Sequence, residues 1–250
     1  MRKLITLLAV CLTLLPSAQA AELAPAGVLI LGDSNSEGPF GLALYRAMRA
    51  LNDPVTGKPL AVTIYAKCGA GANDWTSREY AKIDCGAWAC SNGRALGDCP
   101  HFRDGSIPPL PELYAGLGAE RRVTLVALGL NMIIGNRAQK LRDARRLIAA
   151  IQENNSACIW IGPPQAGDRF VDVGVFDSFV ADLRETVTAA GCRFIASDDK
   201  TDRRDLGRHT KDDHYAKDDA LAWAAKIIEE LHHPRRGQQA LLKLLAAPAN

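Results

Sequence analysis

Apolar residues along this chain fall into short unbroken runs, separated by longer stretches where they recur every three or four positions. Val28-Leu29-Ile30-Leu31 is such a run, as expected of a parallel strand buried on both faces. Residues 60–66, 123–130 and 158–161 repeat it, and 193–196 gives a shorter fifth strand. Between the runs the period becomes helical. Residues 40–51 carry Leu42, Leu44, Tyr45, Met48 and Leu51 at helical spacing and stop at Asn52-Asp53-Pro54. Further helices are predicted over 138–154, 175–190 and 217–231, with an amphipathic terminal helix over 238–247. Alternating strands and helices predict an α/β fold: a mainly parallel five-stranded sheet with helices on both faces, a three-layer α/β/α sandwich. At 250 residues, 48% of them hydrophobic, the chain is long enough to close one such domain and bury its core.

Two stretches break the pattern. Residues 69–113 are rich in Gly, Cys, Trp and Pro and show no sustained period. So long a structureless stretch is uncommon in a compact domain, so it is read as a disulfide-stapled insertion near a site. Residues 1–20 have the layout of a secretory signal. Arg2 and Lys3 precede an apolar run over 4–15, and Ala18-Gln19-Ala20 places small residues before a cleavage site after Ala20. The run is short for a bilayer span, so no membrane segment is expected after cleavage. Without Arg2 and Lys3, the 30 basic residues become 28, against 28 acidic ones. That balance offers no electrostatic case for a nucleic-acid partner or an anionic membrane.

Export also decides how the cysteines are read. Of seven, all but Cys11 lie beyond the signal, and an even number in an exported chain favours disulfides over metal ligation. No CxxC pair is present, so neither a metal nor another cofactor is expected. The expected pairs are Cys158 with Cys192, which open predicted strands, then Cys68 with Cys85, and Cys90 with Cys99 across a short loop.

The chemistry-bearing residues cluster where strands end. Gly32-Asp33-Ser34-Asn35-Ser36 lies between the first strand and the first helix, at the sheet edge where α/β folds bind ligands. Ser34 there is either a nucleophile or, with Asp33, part of a helix cap. A serine nucleophile needs a base. His214, in Lys211-Asp212-Asp213-His214 before the last long helix, is the best placed, with Asp212 or Asp213 to orient its ring. His209 is the runner-up base; His101 lies in the insertion, and His232 and His233 end a helix. A tetrahedral intermediate needs donors for its oxyanion. Gly69 and Gly71 follow the second strand and Asn131 the third, each equally compatible with ordinary turn chemistry.

The order of these groups resembles the SGNH (GDSL) hydrolases over about residues 27–233. Gly32-Asp33-Ser34 is similar to the family's first block, Gly69 or Gly71 to the second, Asn131 to the third and His214 to the last. The resemblance implies a flavodoxin-like strand order and a catalytic set of Ser34, His214 and Asp212. It also implies an oxyanion hole from the Ser34 N–H, Gly69 or Gly71, and Asn131. Two departures stand out. Met132 replaces the aspartate of the usual Gly-x-Asn-Asp, and Lys211 occupies the position of the usual Asp-x-x-His aspartate, so Asp212 fits an Asp-x-His variant. The family resemblance further implies an exported monomeric esterase, periplasmic or secreted, removing short acyl groups from carbohydrate or a peptidoglycan-type polymer. A lipase or thioesterase, a peptidase on peptidoglycan stems and a non-catalytic glycan-binding protein are the alternatives. Trp75, Tyr80 and Trp88 either stack on sugar rings or form the core of the insertion.

Overall fold

The computed structural model describes residues 25–76, 81–82, 85–91, 99–102, 106–167, 170–202, 214–233 and 240–246. The expected signal, Tyr80, His209, Asp212 and Asp213 lie outside them. Strand β1 (Ala26–Gly32) is buried at all seven positions, which its unbroken apolar run anticipates. It leads through a 3-10 turn at Ser34–Glu37 into helix α1 (Pro39–Arg49). Strand β2 (Ala61–Lys67) is followed by a second 3-10 turn at Ala72–Trp75. The short strands β3 (Ala81–Lys82), β4 (Ala87–Cys90), β5 (His101–Phe102) and β6 (Ser106–Ile107) come next. Helix α2 (Leu110–Leu117), strand β7 (Arg121–Ala127) and helices α3 (Leu130–Ile133) and α4 (Arg137–Glu153) follow. The chain continues with β8 (Ser156–Ile161), α5 (Val173–Ala189), β9 (Arg193–Ile195), α6 (Lys217–His232) and α7 (Leu241–Ala246).

The five expected strands form the parallel part of the sheet in the order β2-β1-β7-β8-β9, the flavodoxin-like order. The sheet is nevertheless seven-stranded. Beyond β2, β4 pairs antiparallel with it and β5 with β4, so the stretch read as an insertion extends one sheet edge. Strands β3 and β6 make a separate two-stranded ribbon. Two apolar layers flank the sheet. Leu110, Leu113, Leu147, Phe176, Phe179 and Leu183 from α2, α4 and α5 cover one face. Phe40, Leu44, Trp223, Ile227, Leu241 and Leu245 from α1, α6 and α7 cover the other.

The expected disulfides all form: Cys68–Cys85, Cys90–Cys99 and Cys158–Cys192. They fit an oxidising compartment. Among the described residues no helix is long and apolar enough to cross a membrane. Two further differences concern β7 and α2. The third strand stops at Ala127 instead of residue 130, because Leu130 already opens α3. Helix α2 was hidden by Pro109 and Pro111, which read as loop signals but occupy the N-cap and first turn, where a missing N–H costs nothing. Its buried residues Leu110, Leu113, Tyr114 and Leu117 keep helical spacing, and Gly118 ends it with φ 64°.

Candidate active site

Register brings the candidate residues to one level. Gly32 at the end of β1 lies opposite Ala66 on β2 and Ala127 on β7. Ser34, Gly69 and Asn131 therefore leave the same sheet edge within a few residues of that line. Gly32 is required for this exit, since a Cβ there would overlap the side chain of Ser36, which is itself buried. Gly41 serves the same turn from the helix side, because a Cβ on it would overlap the Ser36 carbonyl.

Within the serine motif the cap reading falls on Asp33. Its carboxylate accepts the Asn35 N–H at 3.0 Å. Ser34 is the first residue of the turn and is half-buried. Asp33 is only 4% exposed, and burial raises its carboxyl from 3.8 to about 7. The Asn35 N–H and the charge of His214 oppose that rise, while Glu37 adds to it. Glu37, the last residue of the turn, is also raised, first by burial, with the Cys68 backbone and the charge of His214 pulling it back. Its Oε1 is buried without a hydrogen bond. His214 is half-buried just ahead of α6 and acts on both carboxylates flanking Ser34.

The oxyanion candidates are joined directly. Gly69 has φ 71°, and the Ala70 N–H donates to the Lys67 carbonyl at 3.1 Å, as in a type II turn whose third residue must be left-handed. That turn aims the Ala70 carbonyl at α3, where the Asn131 side-chain amide donates to it at 3.1 Å. An asparagine amide has two N–H groups, and this bond uses one. The Gly71 N–H donates to Asp74 Oδ2 at 2.8 Å, and Asp74 Oδ1 pairs with the buried Lys67 Nζ, also at 2.8 Å. Met132 is buried, and its Cγ lies 3.6 Å from where a Gly71 Cβ would stand, so it packs the loop where the resemblance expects an aspartate. The Cys68–Cys85 disulfide ties the same loop to the start of β4.

Ser34, Gly69, Gly71, Asn131 and His214 thus gather at one edge; Asp212 lies outside the described residues. The chain has the SGNH-hydrolase fold. It superposes on the psychrotrophic esterase EstA from Pseudoalteromonas sp., in a structure inhibited by monoethylphosphonate, with a TM-score of 0.51 and 15% identity, covering 81% of this chain and 94% of that one. An acetyl xylan esterase, AlAXEase, superposes with a TM-score of 0.52 and 14% identity, covering 80% and 97%. No family model and no curated protein matches the sequence.

Among the described residues the other histidines lie elsewhere. His101 is exposed and stacks on Trp88, and His232 and His233 end α6. Of the aromatic residues offered as sugar platforms, Trp75 and Trp88 are buried at 3% and 4% exposure, and they pack into the two main apolar layers, Trp75 on the α4–α5 side of the sheet and Trp88 on the α1–α6 side. Lys67 and Asp74 are the site residues that sequence reasoning missed. A lysine ending an apolar strand gives no sign of burial, although Gly71 and Asp74 do have the spacing of a capping box.

Proposed function

We propose that this chain is an exported serine esterase that removes short acyl groups, acetyl foremost, from carbohydrate or cell-envelope glycan. The observation that supports the reading is the common level of Gly32, Ala66 and Ala127, from which the Ser34, Gly69 and Asn131 segments leave the sheet, with Asn131 bonded to the Gly69 loop and the His214 charge felt by Asp33. In the proposed reaction His214 takes the Ser34 proton while Oγ attacks the ester carbonyl. The carbonyl oxygen becomes an oxyanion, held by the Ser34 N–H, a glycine N–H of the 69–71 loop and the Asn131 amide. Collapse expels the sugar hydroxyl, which receives the proton from His214, and leaves the acyl group on Ser34. Water, deprotonated by His214, then releases the acid. Asp212 is assigned to hold the imidazole. The fold shared with an acetyl xylan esterase supports an acylated glycan as substrate, and the three disulfides support export.

The test compares wild type and Ser34→Ala on acetylated glycans, purified sacculi and a model-ester series. Ser34-dependent acetate release is expected, together with covalent labelling of Ser34 by an alkylphosphonate. Equal rates in the two proteins would reject the mechanism. Released stem peptides would make it a peptidase, and a preference for long acyl chains would make it a lipase. Export is checked by sequencing the N-terminus of the secreted protein, with Ala21 expected as its first residue.

A further inference from the structure

We infer that the pair formed by buried Lys67 and half-buried Asp74 is the positioning device of the oxyanion loop. The inference rests on the esterase reading above for its catalytic meaning, though its geometry does not. Lys67 ends β2, and at 5% exposure its ammonium is almost wholly withdrawn from water. Such a charge persists in a low-dielectric site only with a partner. Asp74, at the third position of the following 3-10 turn, supplies it through Oδ1 at 2.8 Å. The same carboxylate accepts the Gly71 N–H through Oδ2 at 2.8 Å. One side chain therefore closes the loop from both ends. Lysine anchors it to the strand, and the carboxylate fixes the peptide plane between Ala70 and Gly71.

That plane carries the Ala70 carbonyl, which receives the Asn131 amide at 3.1 Å. Fixing the Gly71 N–H thus also fixes the direction of the Ala70 carbonyl, and through it one N–H of Asn131. The second Asn131 N–H is then held in a set direction, ready for a developing oxyanion. The arrangement also divides the two glycines. Gly71 donates to a carboxylate, an acceptor that competes with any oxyanion for its N–H. Gly69, left-handed at φ 71° and exposed, is the glycine whose N–H is assigned to the oxyanion. The ion pair has an electrostatic consequence as well. Lys67 neutralises Asp74, so the loop carries no net charge to repel the negative oxygen formed beside it.

Two double variants separate positioning from charge and folding. Lys67→Met with Asp74→Asn removes the ion pair but leaves an amide oxygen to accept the Gly71 N–H. Lys67→Met with Asp74→Leu removes the acceptor too, and neither double strands a buried charge. Against wild type, the Leu double should lose about 10- to 100-fold in kcat, with KM changed by less than about threefold. The Asn double should recover most of that loss. Amide hydrogen exchange, read independently of turnover, should show Gly71 protection falling about tenfold or more in the Leu double only. Equal kcat and equal Gly71 protection in the two doubles would overturn the inference. Absence of Ser34-dependent turnover in wild type would instead overturn the esterase reading, while the exchange result still decides the positioning claim.

Discussion

Asp33→Asn offers a direct reading of how the fold treats the carboxyl beside Ser34. Asp33 is 4% exposed and its carboxyl rises from 3.8 to about 7, with burial as the main cause. Between those two values the unfolded chain is ionised at this position and the folded chain holds the proton. Stability therefore is greatest below the unfolded value and is lost as pH rises through the folded one. The slope is about 1.4 kcal/mol per pH unit, and over roughly three units it totals about 4 kcal/mol. Asparagine keeps an oxygen for the Asn35 N–H, which Asp33 accepts at 3.0 Å, and cannot ionise. Urea unfolding of both proteins from about pH 4 to about pH 8 gives the difference in stability at each pH, so a fixed cost of substitution cancels. The variant should gain on wild type steadily across that interval, by up to about 4 kcal/mol in total. A difference that stays flat with pH would refute a buried, proton-holding Asp33. A difference that moves in favour of wild type would mean that the carboxylate is stabilised by His214 more than burial opposes it.

Three further expectations concern other parts of the frame. Gly41→Ala should displace the serine turn, since the added methyl overlaps the Ser36 carbonyl; a cost of about 1–3 kcal/mol in thermal or urea unfolding and a lower kcat are expected. Asp53 is buried, and although burial alone would raise its carboxyl, bonds from Arg121, Thr56 and the Val55 N–H hold it well below the usual range. Its stabilisation is present above the unfolded value and lost as pH falls through the folded one. Asp53→Asn should therefore cost about 3–5 kcal/mol near neutrality and less in strong acid, measured by denaturant titration. Glu37→Gln removes a negative charge that faces His214, so the acidic limb of the kcat/KM profile should move to lower pH.

Burial on both faces makes a strand visible in sequence, and all five parallel strands were legible for that reason. Ser34 and Asn131 were legible because each follows such a run directly. Strands β4 and β5, added beyond β2, were not. They are four and two residues long, and they hold their place through pairing and the Cys90–Cys99 bond, which leave no hydrophobic period. The Lys67–Asp74 pair was hidden for another reason. Its members look like ordinary solvated charges until the turn folds one onto the other. Trp75 and Trp88 were ambiguous because an aromatic ring signals either a core or a sugar platform, and only burial separates the two.

The strand register also has a consequence for how variation is sorted in this molecule. The carboxyl ends of β1, β2 and β7 carry the candidate chemistry on loops. The opposite ends carry Arg121, which binds Asp53 and the Leu245 carbonyl, and Arg122, which binds the Asn154 carbonyl. Substitutions on the upper rim should alter what is turned over and how fast, and those on the lower rim how much folded protein accumulates. A lineage can therefore retune one rim while the other stays constant, which fits a fold kept at 14–15% identity with the esterases it superposes on.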